Sequence, residues 1–204
     1  MMGTKHKGGN AVVIMGVCGS GKSTVGAMLA KSLNCRYLDA DDYHSHANKG
    51  NRRRKKKKLS YFCQSSHFPE KMRRCVPLTD EDRKPWLEHL RDELRGFIED
   101  EGTVILGCSS LKAEYREILR SADPDYHLGS YESSVKFLFL DAKPEVLAER
   151  LKRRENHFLP PALLQSQLDL LRVDSSEGIV RVDACSSPSE IVDNIICLLK
   201  DEGR

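Results

Sequence analysis

Residues 16–23 have the types and spacing needed to bind phosphate groups. They read Gly-Val-Cys-Gly-Ser-Gly-Lys-Ser, which matches G-x-x-x-x-G-K-[ST] without a gap. The glycines allow successive backbone N–H groups to point into one concavity, at the start of a helix whose dipole favours anions. The motif therefore predicts a nucleotide-phosphate site formed by Gly16, Val17, Cys18, Gly19, Ser20, Gly21, Lys22, Ser23 and Thr24.

Lys22 and Ser23 are the side chains of this loop that could take part in chemistry. In such loops the lysine ammonium contacts the outer phosphates, as a catalytic group, and the hydroxyl ligates Mg²⁺. A glycine-rich turn without a ligand is the alternative interpretation. An apolar run over residues 11–15 and a helical pattern after the loop favour the nucleotide site.

Two carboxylates follow the second predicted strand, in the sequence Leu38-Asp39-Ala40-Asp41. A phosphoryl acceptor with a hydroxyl group needs a carboxylate to orient it and to take its proton. We expect continued strand geometry to point the two carboxylates to opposite sides, one to the Mg²⁺ region and one to a second pocket. Alone, the pair would indicate only an acidic turn, but its position after a phosphate-binding loop favours a site.

The rest of the chain predicts a framework that holds these residues at one edge of a sheet. Strand and helix patterns alternate, which is typical of a parallel sheet with helices on both faces and ligands at the strands' carboxyl ends. We predict one α/β domain over residues 1–204, of the P-loop NTPase class. Its strands fall near 11–15, 36–38, 103–106, 135–140 and 179–182, with helices after the loop and near 80–99, 111–120, 144–153, 161–171 and 189–200.

Charge and composition argue against several classes of function. The formal net charge is +3 over 204 residues, which gives no general case for a nucleic-acid-binding protein. The start of the sequence lacks the apolar core of a secretory signal, and no apolar run could span a bilayer. The seven cysteines show no metal-ligand spacing, so we expect reduced thiols in a cytoplasmic protein.

Three further polar clusters fall in loops or at helix ends. An acidic helix start, expected to hold Pro85 in its first turn, contains Arg83, which could bind a carboxylate in bidentate fashion. A polar patch after the third strand ends in Lys112. Residues 150–161 combine cations with an aromatic loop, which is ordinary for a solvated helix end. We predict a lid over about 154–161, in which case the arginines of 150–161 would neutralise the charge on a transferred phosphoryl group.

Residues 50–69 interrupt the alternation. They contain seven consecutive basic residues, 52–58, and show no helix or strand periodicity. A run of like charges repels itself and normally stays solvated. We predict a disordered basic insertion, and the alternative interpretation is a nuclear-localisation or nucleic-acid-binding patch.

The polar segments occur in an order that is typical of one family. Residues 16–24, 38–44, 77–87, 108–120 and 157–171 read GVCGSGKST, LDADDYH, PLTDEDRKPWL, CSSLKAEYREILR and HFLPPALLQSQLDLL. In these stretches the chain resembles the gluconokinases, within the shikimate-kinase-like branch of small P-loop kinases. The first stretch alone indicates only nucleotide binding, whereas the third and the fifth are much more specific.

This resemblance implies a kinase that uses ATP and Mg²⁺ to convert D-gluconate to 6-phospho-D-gluconate for the pentose phosphate route. Asp41 would orient and deprotonate the acceptor hydroxyl, and Asp39 would lie beside the ligands of Mg²⁺. Arg83 and Arg154 would be catalytic, and Arg150 would contact the nucleotide. Gluconate would be bound by Asp41, His44, Asn48, Arg83, Lys112, His157 and Gln167. Members of the family are commonly dimers, so a homodimer is expected.

Departures from the family pattern bear on activity. Without residues 50–69 the pattern is uninterrupted and Asn48 takes its expected place, so we interpret the insertion as an unspliced intron or a gene-model error. It lies in the segment that closes over the sugar acid, where it could spoil the acceptor pocket although the core should still fold. Cys75 replaces a glycine that is common in the family, and Ser110 replaces an alanine, which we expect to be a mild change.

Two other functions stay open on the sequence alone. One is a binding or regulatory protein whose catalysis the insertion has disabled and whose basic segment contacts RNA or acidic partners. The other is a kinase for shikimate, a nucleoside monophosphate or another hydroxy acid, although shikimate kinases write the DEDRKPWL segment differently. Nucleic-acid binding would show a steep salt dependence, which a metabolite kinase would not.

Overall fold

The computed structural model describes residues 8–43, 79–153 and 161–201. Within these ranges, five parallel strands, numbered along the chain, form one sheet in the order β2-β3-β1-β4-β5. The strands are β1 (Asn10–Met15), β2 (Arg36–Asp39), β3 (Thr103–Gly107), β4 (Val135–Asp141) and β5 (Val180–Asp183). The helices are α1 (Lys22–Ser32), α2 (Asp80–Glu99), α3 (Ala113–Arg120), α4 (Pro144–Lys152), α5 (Pro161–Leu170) and α6 (Pro188–Asp201). The predicted parallel α/β sheet is confirmed, with each element within about two residues of its predicted bounds.

Strand β1 lies at the centre of the sheet because it is apolar on both faces. Its residues from Ala11 to Met15 are each at most 4% exposed. Val13 packs in a cluster with the apolar side chains of α2 and α3, whereas Ile14 packs in a second cluster with those of α1 and α6. Since successive strand residues face opposite sides, the alternation of β1 holds the two helical layers on the two faces of the sheet.

The order of the strands brings polar loops together at one edge of the sheet. From β1 the chain crosses to β2 on one side, and from β4 it crosses to β5 on the other side. In parallel sheets the ligand site lies at the carboxyl ends of the strands where such connections diverge. The phosphate-binding motif follows β1 directly, so the fold places it at that position.

Helix α2 begins with a capping box formed by Thr79 and Asp82. The Thr79 hydroxyl accepts from the Asp82 N–H at 3.2 Å, and the Asp82 carboxylate accepts from the Thr79 N–H at 2.9 Å. The helix therefore starts at Asp80, which places Pro85 inside it and not in the first turn. The expectation of a first-turn proline is wrong, because Thr79 is the residue that satisfies the free N–H groups.

A buried ion cluster joins α3 to the segment before β5. Arg116 donates to both Glu177 carboxylate oxygens, at 2.8 and 2.6 Å, and also to the carbonyl oxygens of Ser110 and Arg172. Arg116, Arg120 and Glu177 are all less than 5% exposed. Ser110 has φ 44°, a left-handed conformation that is unfavourable for any residue with a Cβ, alanine included. The expectation that serine is a mild replacement here stays a prediction. The cluster fixes the loop after β3, which leads into Lys112.

The cysteines that the structure describes are all free: Cys18, Cys35, Cys108, Cys185 and Cys197. Burial raises the pKa of the Cys108 thiol to about 11, so that thiol is unreactive at neutral pH. Among the described residues, no helix combines the length and the apolar character needed to cross a membrane.

Replacing Glu177 by Gln should lower the free energy of unfolding by about 3 kcal/mol, because it leaves Arg116 buried without its counter-ion. Burial raises the pKa of Glu177, but the hydrogen bonds and charge of Arg116 outweigh it and hold the pKa below its usual value. The contribution of the Glu177 carboxylate to the free energy of unfolding is thus complete above the pKa that Glu177 has in the unfolded chain. It is lost as the pH falls through the lower pKa that Glu177 has in the folded chain. Denaturant unfolding at neutral and acid pH measures both effects.

Asp141→Asn is the matched control, because it removes an exposed ion pair with Arg181 at 3.2 Å. Such surface pairs are worth less than about 1 kcal/mol. Equal losses in the two variants would contradict the assignment of Glu177 to a buried, stabilising cluster.

Candidate active site

Residues 16–21 form a tight loop between β1 and α1, and Lys22 and Ser23 are the first residues of α1. Gly21 caps α1 with φ 98° and ψ 11°, a left-handed conformation that is unfavourable for residues with a Cβ. A Cβ on Gly16 would lie 2.9 Å from Ser20 Oγ. In the described structure no side chain caps the start of α1, so its first N–H groups are open to a ligand. The loop has the form of an anion site at a helix N-terminus.

Lys22 and Ser20 carry polar atoms that fit a phosphate ligand. The Lys22 ammonium donates to the Val17 carbonyl oxygen at 2.9 Å, so it lies back against the loop. Burial lowers the pKa of Lys22, and the negative charge of Asp41 opposes that shift. The fully buried Ser20 hydroxyl has no hydrogen-bond partner among the described residues. A buried polar group of this kind is costly until a ligand satisfies it.

Oxygen atoms suited to Mg²⁺ gather beside the loop. The Ser23 hydroxyl donates to Asp39 Oδ2 at 2.9 Å, and the Tyr37 hydroxyl donates to the same oxygen at 3.0 Å. Mg²⁺ in phosphotransferases takes one or two protein oxygens and completes its shell with phosphates and water. Ser23 and Asp39 fit that use, although no three His, Cys, Asp or Glu side chains within the described ranges form a metal cluster.

Asp39 and Asp41 are not arranged as the sequence suggested. We expected strand geometry to point them to opposite sides, but β2 ends at Asp39 and a 3₁₀ turn, Ala40–Tyr43, follows. The expectation is wrong, because strand residues two apart share a face and because the turn folds the Asp41 N–H onto Asp39 Oδ1 at 3.1 Å. The negative charges of Asp39 and Asp41 both raise the pKa of Lys22, so the two carboxylates interact with the same cation.

Asp41 has the electrostatic setting of a general base. Desolvation by the surrounding protein raises its pKa, the charge of Asp39 raises it further, and Lys22 lowers it. The Asp41 side chain nevertheless reaches solvent, so a substrate hydroxyl could approach it. A reachable carboxylate whose pKa is raised is well suited to take a proton from a hydroxyl.

Trp86 fixes α2 to the turn that carries Asp41. Its indole Nε1 donates to the Ala40 carbonyl oxygen at 3.2 Å, and its ring is buried in the core. Arg83 precedes Trp86 by three residues, so the two side chains neighbour each other on one helix face. The Trp86 hydrogen bond therefore ties the helix that carries Arg83 to the turn that carries Asp41.

Arg83 and Lys112 lie against the same aromatic ring, that of Tyr115. The Arg83 guanidinium carbon and the Lys112 ammonium are each 5.6 Å from the ring centroid. Arg83 donates to the Tyr115 hydroxyl at 2.9 Å, and that hydroxyl donates to Asp80. Asp80 also pairs with Lys112 at 2.7 Å. Arg83 and Lys112 are thus two neighbouring cations that could receive an acidic group. Lys112 and Tyr115 also line a cavity of about 390 Å³, but Arg83 does not, and the carboxylates of Asp80, Glu81 and Glu114 are part of its lining.

Helices α4 and α5 pack against the phosphate-binding loop. The Cys18 N–H donates to Gln167 Oε1 at 2.7 Å, although the residues are 149 positions apart. Val17 packs in an apolar cluster with Leu147 of α4 and Leu164 of α5. Gln167 thus contacts the loop itself, and its expected contact with gluconate stays a prediction.

Arg150 lies beside the loop. It lines a cavity of about 260 Å³ together with loop residues and the start of α6. The lining residues are Gly19, Ser20, Gly21, Thr24, Val25, Arg150, Pro188 and Ile191. This position is compatible with the predicted contact between Arg150 and a nucleotide.

Several predicted site residues lie outside the described residues. They are His44, Asn48, Arg154 and His157, together with the insertion at 50–69, Cys75 and most of the lid at 154–161. The roles given to them stay predictions.

Three contacts of the site were missed by sequence reasoning. Tyr37 precedes Asp39 by two residues in β2, so their shared strand face was a usable signal. Tyr115 lies three residues after Lys112, which is helical spacing, and could have been found in the same way. The hydrogen bond of Trp86 to Ala40 had no local signal, because it joins residues 46 positions apart.

Comparison with known proteins gives similarity over most of the chain. A family model described as an AAA domain matches residues 12–158. The gluconokinase of Arabidopsis thaliana is 46% identical over 192 residues, which are 92% of this chain and 91% of that relative. A solved sugar kinase from Janibacter is 33% identical with a TM-score of 0.73, covering 94% of this chain and 95% of its own. A solved gluconokinase from Sinorhizobium meliloti is 34% identical with a TM-score of 0.68, covering 90% and 87%.

Gly21→Ala should weaken nucleotide binding through backbone strain alone. The nearest atom to an added Cβ is 3.9 Å away, so no clash arises, but φ 98° costs roughly 1 kcal/mol for a residue with a Cβ. If the loop relaxes to avoid this strain, the N–H groups lose their alignment. Titration calorimetry with ADP should show an affinity loss of about fivefold or more, since roughly 1 kcal/mol corresponds to a factor of about five.

Gly129→Ala provides the matched control. Gly129 has φ 79°, nothing within 4 Å of an added Cβ, and a position in the loop after α3. The Gly129→Ala variant should lose about as much stability as Gly21→Ala, but its affinity for ADP should be unchanged. Weaker ADP binding by both variants to the same extent would show that global destabilisation, not the loop conformation, sets the affinity.

Proposed function

The chain belongs to the gluconokinase family, and we infer on that basis that it is a kinase that transfers the γ-phosphoryl group of ATP to D-gluconate. The products are ADP, 6-phospho-D-gluconate and the proton of the acceptor hydroxyl. The observation that carries this proposal is the position of Asp41 beside Lys22, at the end of the sheet that also presents the phosphate-binding loop. A base and a phosphate-binding cation at one place are what phosphoryl transfer to an alcohol requires.

We propose that the nucleotide phosphates are bound by the N–H groups at the start of α1 and by Lys22. ATP supplies the phosphoryl group, and Mg²⁺ neutralises its charge. Ser23 and Asp39 are the residues that would hold the metal, because their oxygens already lie 2.9 Å apart beside the loop. The cavity lined by Arg150 is on the side of the loop available to the rest of the nucleotide.

For the acceptor, we propose that Asp41 orients the gluconate hydroxyl and accepts its proton. Desolvation by the surrounding protein and the charge of Asp39 raise the pKa of Asp41, which strengthens it as a base, and Lys22 limits that rise. The ammonium of Lys22 lies near enough to Asp41 for the negative charge of that carboxylate to raise the pKa of Lys22. The same lysine therefore links the phosphate site to the acceptor site.

We propose that Arg83 and Lys112 bind the carboxylate of gluconate. Both cations lie against Tyr115. Lys112 pairs with the largely exposed Asp80, and Arg83 is joined to Asp80 through the Tyr115 hydroxyl. Arg83 can bind a carboxylate in bidentate fashion, which fixes the direction of the sugar acid as well as its charge. The acid would thus extend from this pair of cations towards Asp41.

Other expectations stay predictions. The homodimer, the cytoplasmic location and the lid arginine Arg154 have no direct support from the described residues. Nothing in the described part of the chain, and nothing among the relatives, favours a nucleic-acid-binding protein. That alternative depends on residues 52–58, which lie outside the described ranges.

A coupled assay of ADP release over a panel of sugar acids should show turnover with D-gluconate. The assay is run on the full chain and on a chain lacking residues 50–69, and shikimate and nucleoside monophosphates serve as acceptor controls. We expect the shortened chain to be the more active, because the deletion restores the family pattern after Asn48. Absence of gluconate-dependent turnover in both forms would reject the assignment.

Asp41→Asn should lower kcat by roughly 100- to 10,000-fold, the range in which a general base contributes. ADP affinity should stay near that of the original chain, because the loop N–H groups are unaltered. Asp42→Asn is the matched control, since it removes one negative charge from the same exposed turn. A large loss in Asp42→Asn with near-normal turnover in Asp41→Asn would transfer the role of base away from Asp41.

A further inference from the structure

Tyr37 contacts the phosphate site without belonging to the loop. It lies on β2, two residues before Asp39 and on the same strand face. Its hydroxyl donates to Asp39 Oδ2 at 3.0 Å, and the Ser23 hydroxyl donates to that oxygen at 2.9 Å. The Asp41 N–H donates to the other oxygen, Oδ1, at 3.1 Å. The Asp39 carboxylate is therefore held by three donors from three different residues.

The Tyr37 ring is confined by two glycines. A Cβ on Gly26 of α1 would lie 2.4 Å from ring atom Cε2, and a Cβ on Gly107 at the end of β3 would lie 2.5 Å from the hydroxyl oxygen. Real Cβ atoms do not approach so closely, so the ring fills a slot that exists only because both residues lack a side chain. The hydroxyl is thus held at a fixed place beside Asp39.

A purely apolar role does not explain this residue. A phenylalanine would fill the same slot and pack equally well against α1. The additional hydroxyl adds one donor to a carboxylate that already receives two, and hydrogen bonds to a charged group are among the stronger ones in proteins. The hydroxyl therefore acts on the orientation of Asp39.

We propose that Tyr37 is a positioning residue for the divalent metal of the bound nucleotide, acting through Asp39. The proposal rests on the proposed kinase function and deepens it. Tyr37 makes no contact of its own with the metal in this account; it keeps the Asp39 carboxylate against Ser23. Groups that orient metal-binding carboxylates commonly change metal affinity by roughly 10–100-fold when they are removed.

Tyr37→Phe is the variant that tests the hydroxyl alone, because the ring and its fit between Gly26 and Gly107 are preserved. Calorimetric titrations of ADP into the full chain are made at increasing Mg²⁺ concentration and also with the metal chelated. We expect the Mg²⁺ concentration that gives half of the metal-dependent gain in ADP affinity to rise about tenfold. ADP affinity without metal should be unchanged, since Tyr37 touches no loop N–H group.

Tyr126→Phe is the matched control. The Tyr126 hydroxyl donates to the Glu117 carboxylate at 2.8 and 2.9 Å, so the substitution removes the same kind of hydrogen bond at a place remote from the loop. Its Mg²⁺ midpoint should equal that of the original chain. The thermal midpoint of each variant, measured without ligand, reports the stability lost with each hydroxyl.

Two outcomes overturn the proposal. An unchanged Mg²⁺ midpoint in Tyr37→Phe would show that Asp39 needs no help from the hydroxyl. Equal loss of ADP affinity with and without metal would show that Tyr37 supports the loop and not the metal. A shifted midpoint in a chain that fails to phosphorylate gluconate would keep the inference about Tyr37 and reject only the acceptor.

Discussion

The complete burial of strand β1 is the constraint on which the rest of the structure depends. The strand is bonded on both edges, to β3 and β4, and is covered on both faces by helices, so it cannot shift without breaking the core. The loop that follows it inherits that fixed position. Anion binding by backbone N–H groups works only if their directions are set before the ligand arrives, since reorganisation would cost affinity. A rigid central strand provides that preorganisation.

Charge is distributed unevenly over this framework. Away from the phosphate loop, Arg116, Arg120 and Glu177 form a closed cluster in which each buried charge has a partner. At the loop, by contrast, Lys22 meets two carboxylates that also influence each other, and the pKa values of Lys22 and Asp41 are shifted in opposite directions. Titratable groups whose pKa values are shifted in this way are found preferentially at functional sites. The first cluster stabilises the fold, and the second one is left available for a ligand.

The elements could be predicted because their signals are local. An uninterrupted apolar run marks β1, and a run of acidic residues marks the start of α2. The phosphate loop was predictable for the same reason, since one contiguous motif contains it. The 3₁₀ turn after Asp39 was not, because it depends on a side-chain oxygen that accepts a backbone N–H two residues later. The contact of Gln167 with the loop was also beyond local reasoning, because packing of distant helices creates it.

Trp86 has a consequence for how the molecule can be observed. It is the only tryptophan in the sequence, and its indole N–H is bonded to Ala40, between the two carboxylates of the site. Indole emission depends on the polarity and the hydrogen bonding of its surroundings, so the tryptophan emission of this protein originates next to Asp39 and Asp41 instead of averaging over several positions. The chain thus contains a single built-in optical probe, and it lies at the place where nucleotide and acceptor would meet.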